Sequence, residues 1–230
     1  EIQFGDWSSD VCSSDLPWMV FNRARHYQYY PFGNIGHTHL AALSDPAVSK
    51  PFAGYLREGL EVIRQRAAKD PFRIGIPFIW CSNNLVAATA TQARMYHDIT
   101  GDRSFEEMEA ALRDWLLGCN PWGTSMICGL PEKGDSPERP HSSITVLTGA
   151  NTVGGLVDGP VYAGIFNSHV GTSVLKSDPY RDFQNGIAVY HDDTGDYSTN
   201  EPTMDGTATL CWYFSWLEKQ GYPLKNNTEN

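Results

Sequence analysis

Four stretches of this 230-residue chain carry apolar side chains at helical spacing: three between residues 45 and 118, separated by short turn signals, and one at residues 210–217. The first follows an N-cap and first-turn signal at residues 45–46 and ends before residue 70. Serine and asparagines at 82–84 offer a cap to the second, and a capping-box pattern at 104–107 begins the third. Helices joined by short turns pack as antiparallel hairpins. The sequence therefore predicts an all-α fold with no sheet core.

A long loop region follows the third helix. Residues 149–184 are rich in Gly, Pro and Asn, yet aromatic residues recur through them and can pin the loops to a helical body. Loops of this length inside a compact domain are usually functional. We therefore expect ordered loops around a binding or active site, with a surface excursion as the alternative. A helical repeat scaffold is a weaker alternative, because no fixed repeat period is present.

A carboxylate-rich segment lies near the C-terminus. Asp192, Asp193 and Asp196 precede Glu201, and the proline that follows Glu201 suits the first position of a helix. In one interpretation these acids cap and solvate a helix start, where negative charge is mildly stabilising. In the other, Glu201 is a general acid that apolar and carboxylate neighbours keep protonated, because nearby like charges raise the pKa of a carboxyl group.

The charge and composition of the whole chain restrict the partners that it can bind. The net charge is −10, which argues against a nucleic acid or an anionic membrane surface, and no stretch is as apolar as a membrane span. Aromatic residues make up 12% of the chain, and their rings stack on the apolar faces of sugars. A core rich in large rings is the alternative for any one of them. The composition therefore fits a neutral carbohydrate better than a charged polymer.

No metal or cofactor is expected. The five cysteines show no metal-binding spacing, and His37 and His39 have no nearby acidic residue or cysteine to complete a ligand set. The aspartates at 192, 193 and 196 have oxygens that suit calcium, which leaves calcium as an alternative. They do not fit the EF-hand pattern.

The carboxylate-rich segment resembles the C-terminal active-site signature of glycoside hydrolase family 9. The positions that match are Tyr190, Asp192, Tyr197, Glu201 and Thr203. The resemblance implies the C-terminal part of an (α/α)6 barrel with long active-site loops. It also implies a cellulase-like enzyme that hydrolyses β-1,4-glucan with inversion, with Glu201 as proton donor and Asp192 as an assisting carboxylate. One departure is Thr207, where the family has an asparagine.

Three further segments resemble the same family. They are the Trp-x-Ser-Asn pattern at 80–83, the helix end at 96–102 and the Gly-x-Asn-Pro pattern at 118–121. Together with the signature, they imply substrate contacts for four residues: His141, Tyr197, Trp80 and Trp122.

His141 falls where the family carries a Pro-His-x-Arg motif. The histidine is retained after Pro140, but Ser143 stands at the arginine position. A charge-assisted donor to the substrate is therefore lost at that position, and Arg139 is the neighbouring residue that offers a replacement.

The resemblance also shows what is missing from the chain. An inverting glycosidase needs a second carboxyl group as base, about 6.5–9.5 Å from the acid. In the family the base belongs to an Asp-Ala-Gly-Asp segment far towards the N-terminus; this sequence has no such segment, and residues 17–40 contain no aspartate. We expect residues 17–223 to be the C-terminal portion of a catalytic domain, inactive alone and partnered by the missing N-terminal half of that domain.

The two ends of the chain are expected to lie outside this portion. Residues 1–16, which include Cys12, have no helical or strand periodicity, and residues 6–16 resemble a translated sequencing adapter. Residues 224–230 are expected to form a tail. A secreted or periplasmic location is implied by the family resemblance, and no secretion signal is present in these residues.

Two alternatives remain open at the level of sequence. One is a non-catalytic carbohydrate-binding domain that kept the aromatic residues and lost activity. The other is part of another (α/α)-barrel glycosidase or of a polysaccharide lyase, whose unsaturated products would absorb ultraviolet light.

Overall fold

The structure, a computed structural model, describes residues 35–168 and 170–221. The adapter-like segment at 1–16 and the tail at 224–230 lie outside the described residues. The helices, in chain order, are α1 (Ile35–Ala41), α2 (Pro46–Ala67), α3 (Ser82–Thr100), α4 (Glu106–Leu116), α5 (Ser143–Thr148), α6 (Ala163–Ser168) and α7 (Met204–Gly221). The short strands are β1 (Leu156–Val157), β2 (Val161–Tyr162), β3 (Ala188–Val189) and β4 (Pro202–Thr203). Within these two ranges, no helix is long and apolar enough to cross a membrane.

Helix α2 begins where the sequence predicted. The Asp45 carboxylate accepts a hydrogen bond from the amide of Ala47 at 2.9 Å, and Pro46 occupies the first turn. Apolar residues between Leu56 and Ala67 recur at helical spacing and are buried. Local sequence signals alone therefore define the start and the buried face of this helix.

The other two predicted caps are wrong. Cys81 precedes α3 in a left-handed conformation, with φ of 55° and no side-chain cap, while Asn83 lies inside the helix. The Asn83 side chain donates to the carbonyl of Val157 at 2.9 Å instead. Ser104 donates to the carboxylate of Asp102, and no side chain caps α4. The side chains of Asn83 and Ser104, which the patterns predicted to cap α3 and α4, each form a different hydrogen bond instead.

Helix α3 is the centre of the core. It packs against α1, α2, α4, α7 and β1, and every residue from 82 to 93 is buried. Small side chains along this stretch, mainly alanine and threonine, let the neighbouring elements approach closely. Trp115 of α4 is 1% exposed, and its ring contacts Phe72, Phe78 and Trp122. A helix buried on all sides gives the loops at its N-terminal end a rigid support.

Two short antiparallel ladders connect the loop region. In the first, β1 pairs with β4 and Val157 lies opposite Pro202; in the second, β2 pairs with β3. Pro202 therefore lies in a strand, and the prediction that it begins a helix is wrong, because α7 begins at Met204. A proline is compatible with a strand that has a neighbour on one side only. Glu201 consequently lies at the end of an extended ladder.

Candidate active site

Asp196 holds the carboxylate-rich loop in shape from inside. It is fully buried and accepts hydrogen bonds from the side chains of His191 at 2.8 Å, Ser198 at 2.6 Å and Thr199 at 2.7 Å. Burial alone would raise the pKa of Asp196, but these three hydrogen bonds outweigh it and lower the pKa below its ordinary value. Asp196 is thus a charged internal anchor of the loop.

Asp192 joins this loop to the segment that carries His141. Its carboxylate accepts hydrogen bonds from the amides of Glu138 at 2.9 Å and Arg139 at 2.8 Å, and from the Asn200 side chain at 3.1 Å. The guanidinium of Arg139 lies 4.0 Å from the same carboxylate. Three N–H donors and a nearby cation hold Asp192 in one orientation, so it fixes two segments of the site relative to each other.

The residues considered as metal ligands are engaged otherwise or lie apart. Asp193 accepts hydrogen bonds from the amides of Lys176 at 2.9 Å and Gly195 at 2.8 Å. On α1, His37 is buried and His39 is exposed. Among the residues that the structure describes, no group of three or more His, Cys, Asp or Glu side chains is arranged to hold a metal ion. The expectation that the chain binds no metal stays a prediction, and calcium binding by the loop stays its alternative.

Three of the four residues expected to contact substrate lie side by side. The ring centroid of Tyr197 lies 5.7 Å from that of Trp80 and 6.1 Å from that of His141. All three side chains are half-buried. His141 donates from Nδ1 to the carbonyl of Thr194 at 2.6 Å, because a carbonyl can only accept, and this fixes the ring orientation. Tyr197 thus contacts both other rings, whose planes are inclined to its own by 36° and 65°, and these three residues form a row of rings, the residue type on which sugars stack.

Trp122 does not belong to this row. It is 3% exposed, and its Nε1 donates to the side chain of Gln184 at 3.1 Å. Its ring packs against those of Trp115 and Tyr190, with centroids 6.3 Å and 5.8 Å away. Trp122 therefore supports the core beneath the loops and presents no ring face to a ligand.

Glu201 has a fixed main chain and an exposed side chain. The fully buried side chain of Asn200, directly before it, donates to the carbonyl of Arg139 at 2.9 Å and accepts from the Tyr190 hydroxyl at 3.2 Å. The carbonyl of Glu201 accepts from the amide of Asp158 at 2.9 Å. This arrangement suits a group that must meet a substrate at a defined position.

Sequence reasoning missed Asn200 and Asp158. The only sequence feature that could have pointed to Asn200 was its position directly before Glu201. Asp158 stands in an Asp-Gly-Pro run that is typical of an exposed turn, although the residue is buried. Thr207 stands where the family has an asparagine. Its hydroxyl accepts a hydrogen bond from the amide of Leu156 at 3.0 Å, and this bond connects α7 to β1.

Replacing Asp192 by alanine is expected to lower the free energy of unfolding by about 1–3 kcal/mol, because it removes the acceptor of three N–H groups, of which those of the half-buried Arg139 and the buried Asn200 are the most costly to leave unpaired. Amide hydrogen exchange at Glu138 and Arg139 should become faster than in the unmodified protein. Asp182→Ala, at an exposed position in the same loop region, is the control and should stay within about 0.5 kcal/mol. Unchanged exchange at 138–139 would contradict the anchoring role of Asp192.

A separate depression of about 580 Å³ lies between the end of α2 and the start of α4. None of the expected site residues lines it. Its arginines face glutamates: Arg103 lies 3.4 Å from Glu106 and Arg73 lies 4.0 Å from Glu107. This depression is therefore not part of the candidate active site.

Comparison with known proteins gives a consistent result. The sequence model of glycosyl hydrolase family 9 matches residues 25–214. Among curated proteins, endoglucanase C of Cellulomonas fimi is 27% identical over 153 residues, which are 64% of this chain and 13% of that protein. The match therefore spans a small part of this curated relative.

The fold of this chain is similar to those of solved family 9 endoglucanases. A metagenome-derived glycoside hydrolase family 9 endoglucanase is matched with a TM-score of 0.62 at 24% identity, over 84% of this chain and 37% of that one. The family 9 endoglucanase J30 is matched with a TM-score of 0.64 at 20% identity, over 85% and 39%. These proteins are (α/α)6 barrels, so the prediction of a helical fold that forms part of such a barrel is confirmed.

Proposed function

The chain belongs to glycosyl hydrolase family 9, and from this membership we propose that it is the C-terminal portion of a catalytic domain that hydrolyses β-1,4-linked glucan. Glu201 acts as the general acid that protonates the glycosidic oxygen, and the anomeric carbon is inverted. The relatives are endoglucanases by name, which favours a cellulase-like substrate.

The position of Glu201 is the observation that carries this proposal. Its carboxyl group is exposed, whereas its main chain is held by the β1–β4 ladder and follows the buried Asn200. The amide of His141 donates to the carbonyl of Asn200 at 2.8 Å, so the segment that carries His141 is bonded to the residue directly before the acid. We therefore expect a sugar that stacks on Trp80, Tyr197 and His141 to lie within reach of Glu201.

The general base is a carboxylate from outside these 230 residues. Within the described residues, the acids nearest in sequence to Glu201 are occupied: Asp205 accepts a hydrogen bond from the side chain of Asn84, and the loop aspartates Asp192, Asp193 and Asp196 each accept hydrogen bonds from N–H or hydroxyl groups. Their role is to shape the loop and to orient Glu201. Activation of water on the opposite face of the sugar requires a second carboxylate about 6.5–9.5 Å from the acid.

Hydrolysis assays test the proposal. The complete catalytic domain, obtained by extending the gene upstream, should release reducing sugar from a soluble β-1,4-glucan, and proton NMR of the first product should show the inverted α-anomer. The 230-residue chain alone should give no hydrolysis. Turnover by the chain alone at the rate of the complete domain would contradict the placement of the base.

The alternatives give different results in the same assay. A polysaccharide lyase would produce unsaturated ends that absorb ultraviolet light. A non-catalytic carbohydrate-binding domain would bind the glucan without releasing reducing sugar from it.

A further inference from the structure

Asp158 is an acidic residue that the proposed reaction does not use, and its main chain is bonded to that of Glu201. The Asp158 amide donates to the carbonyl of Glu201, and the Asp158 carbonyl accepts from the amide of Asn83 in the first turn of α3, both at 2.9 Å. The Asp158 main chain thus connects the residue proposed as general acid to the most buried helix of the fold.

The next residue keeps this connection tight. Gly159 has φ of 86°, in the left-handed region that favours glycine, and its amide donates to the carbonyl of Thr199 at 3.0 Å. A Cβ atom at Gly159 would collide with the side chain of Asn83. The end of β1 therefore lies directly against α3, and the segment that leads into Glu201 is bonded to it.

The Asp158 side chain is buried in an unusual setting. It is 1% exposed, and neither carboxyl oxygen has a nitrogen or oxygen hydrogen-bond partner among the described residues. A charged carboxylate in such a place is far more costly than a neutral carboxylic acid. A group of this kind requires an explanation beyond packing, since an apolar side chain would fill the same space without the cost.

The surrounding charges favour the neutral form. Burial raises the pKa of the Asp158 carboxyl well above its ordinary value, and the Cys81 thiol, a weak donor ahead of α3, opposes this shift only in part. Three acids add to the upward shift of the pKa: Glu201 before β4, Asp205 in the first turn of α7 and Asp196 in the loop. Acids on three different segments therefore act against ionisation of Asp158.

We propose that Asp158 is a positioning residue for Glu201: it remains a neutral carboxylic acid against α3, and its ionisation releases the strand end that carries Glu201. The first half concerns the side chain alone. The second half rests on the proposed function, because it connects the state of Asp158 to catalysis through Glu201.

Infrared spectroscopy of the 230-residue chain tests the neutral state without any activity. The difference spectrum between the unmodified protein and Asp158→Asn at pH 7 should contain the carbonyl stretching band of a neutral carboxylic acid. The same difference for Glu107→Gln, whose side chain is 94% exposed, should not. Carboxyl carbon NMR of the unmodified protein gives the same answer if the variant fails to fold: one aspartate should keep its proton well above the ordinary pKa of an aspartic acid. Loss of the proton from every aspartate at or below that pKa would overturn the proposal.

The pH dependence of folding provides a second measurement. The unfolded chain loses the Asp158 proton near pH 4, whereas the folded protein keeps it, so folding binds a proton above that pH. The folding equilibrium constant of Asp158→Asn relative to the unmodified protein should therefore rise tenfold per pH unit from about pH 4 towards the raised pKa. A ratio that does not change with pH would show an ionised Asp158 in the folded protein and would overturn the proposal.

The pH–rate profile of the complete catalytic domain tests the positioning role. At high pH the logarithm of kcat/KM should fall with a slope that steepens from −1 to −2, because the active form must keep both the proton of the general acid and that of Asp158. In Asp158→Asn the slope should remain −1. A neutral Asp158 combined with a slope of −1 in both proteins would overturn the positioning role. A failure of the proposed function is recognised separately, because the infrared and folding results do not depend on hydrolysis.

Discussion

Glu201→Gln is expected to lower kcat/KM of the complete catalytic domain for a soluble β-1,4-glucan by about 10²- to 10⁴-fold. Glutamine has nearly the shape of glutamic acid but has no proton to give to the leaving oxygen. The loss should appear in kcat, since the exposed side chain contributes little to the ground-state contacts that rings provide. An aryl glycoside with a good leaving group needs less protonation and should lose less activity.

Two measurements separate a catalytic loss from a structural one. Glu132→Gln, at an exposed position in the segment before His141, should retain activity, and the melting temperature of Glu201→Gln should match that of the unmodified domain. Affinity for an oligosaccharide, measured by calorimetry, should stay within a few-fold. Undiminished hydrolysis by Glu201→Gln would rule out Glu201 as the general acid.

The helices were predictable from local signals to the extent that their contacts are local. Asp45 caps α2 through an amide two residues away, and the apolar spacing identified the buried faces. The end of α3 is also set by a local residue, because Gly101 accepts the left-handed conformation that it adopts there, with φ of 72°. These features depend on neighbours within one or two turns of the chain.

The errors share a different physical origin. Pro202 lies in a strand because β1, more than forty residues earlier, pairs with it. Asn83 leaves its expected cap because the carbonyl of Val157 is available, and Trp122 turns inwards because Trp115 and Tyr190 surround it. Each outcome depends on a partner distant in sequence, which a periodic pattern does not identify.

In the candidate site, too, the sequence indicated the residue types but not the contacts between residues distant in sequence. The family signature pointed to Glu201, Asp192 and Tyr197, and the other family segments pointed to His141, Trp80 and Trp122; the structure places the rings of Tyr197, His141 and Trp80 in one row and buries Trp122. The signature did not reveal that Asp192 binds two amides more than fifty residues earlier in the chain. A motif fixes residue types along a sequence, whereas the hydrogen bonds that orient them come from separate loops.

Glu109 is the strongest example of a residue whose environment comes from distant partners. It lies on α4, where the apolar spacing does not distinguish a buried acid from an exposed one, yet the Glu109 side chain is 4% exposed. It accepts hydrogen bonds from Arg94 of α3 at 2.8 Å and from the hydroxyl of Tyr213 of α7 at 2.9 Å. The Arg94 guanidinium in turn lies 4.0 Å from the ring centroid of Trp216. One carboxylate thereby connects three helices.

Glu109→Ala is therefore expected to lower the free energy of unfolding by about 3–5 kcal/mol, because it leaves the Arg94 charge, 13% exposed, without its partner. Glu107→Ala on the same helix is the matched control. Its side chain is 94% exposed and only 4.0 Å from Arg73, so the expected change is below about 0.5 kcal/mol. Urea unfolding of the purified chain measures both changes, and equal slopes against urea confirm that the folded states are comparable.

A double replacement shows whether the lost stability comes from the unpaired charge or from the lost packing. Arg94→Met combined with Glu109→Leu removes both charges and fills a similar volume, so it should recover part of the stability lost in Glu109→Ala. If the loss arose from packing alone, Arg94→Met combined with Glu109→Ala, which removes the charge but leaves the space empty, would be no more stable than Glu109→Ala. A loss in Glu109→Ala no larger than that in Glu107→Ala would instead show that the three-helix junction does not depend on this carboxylate.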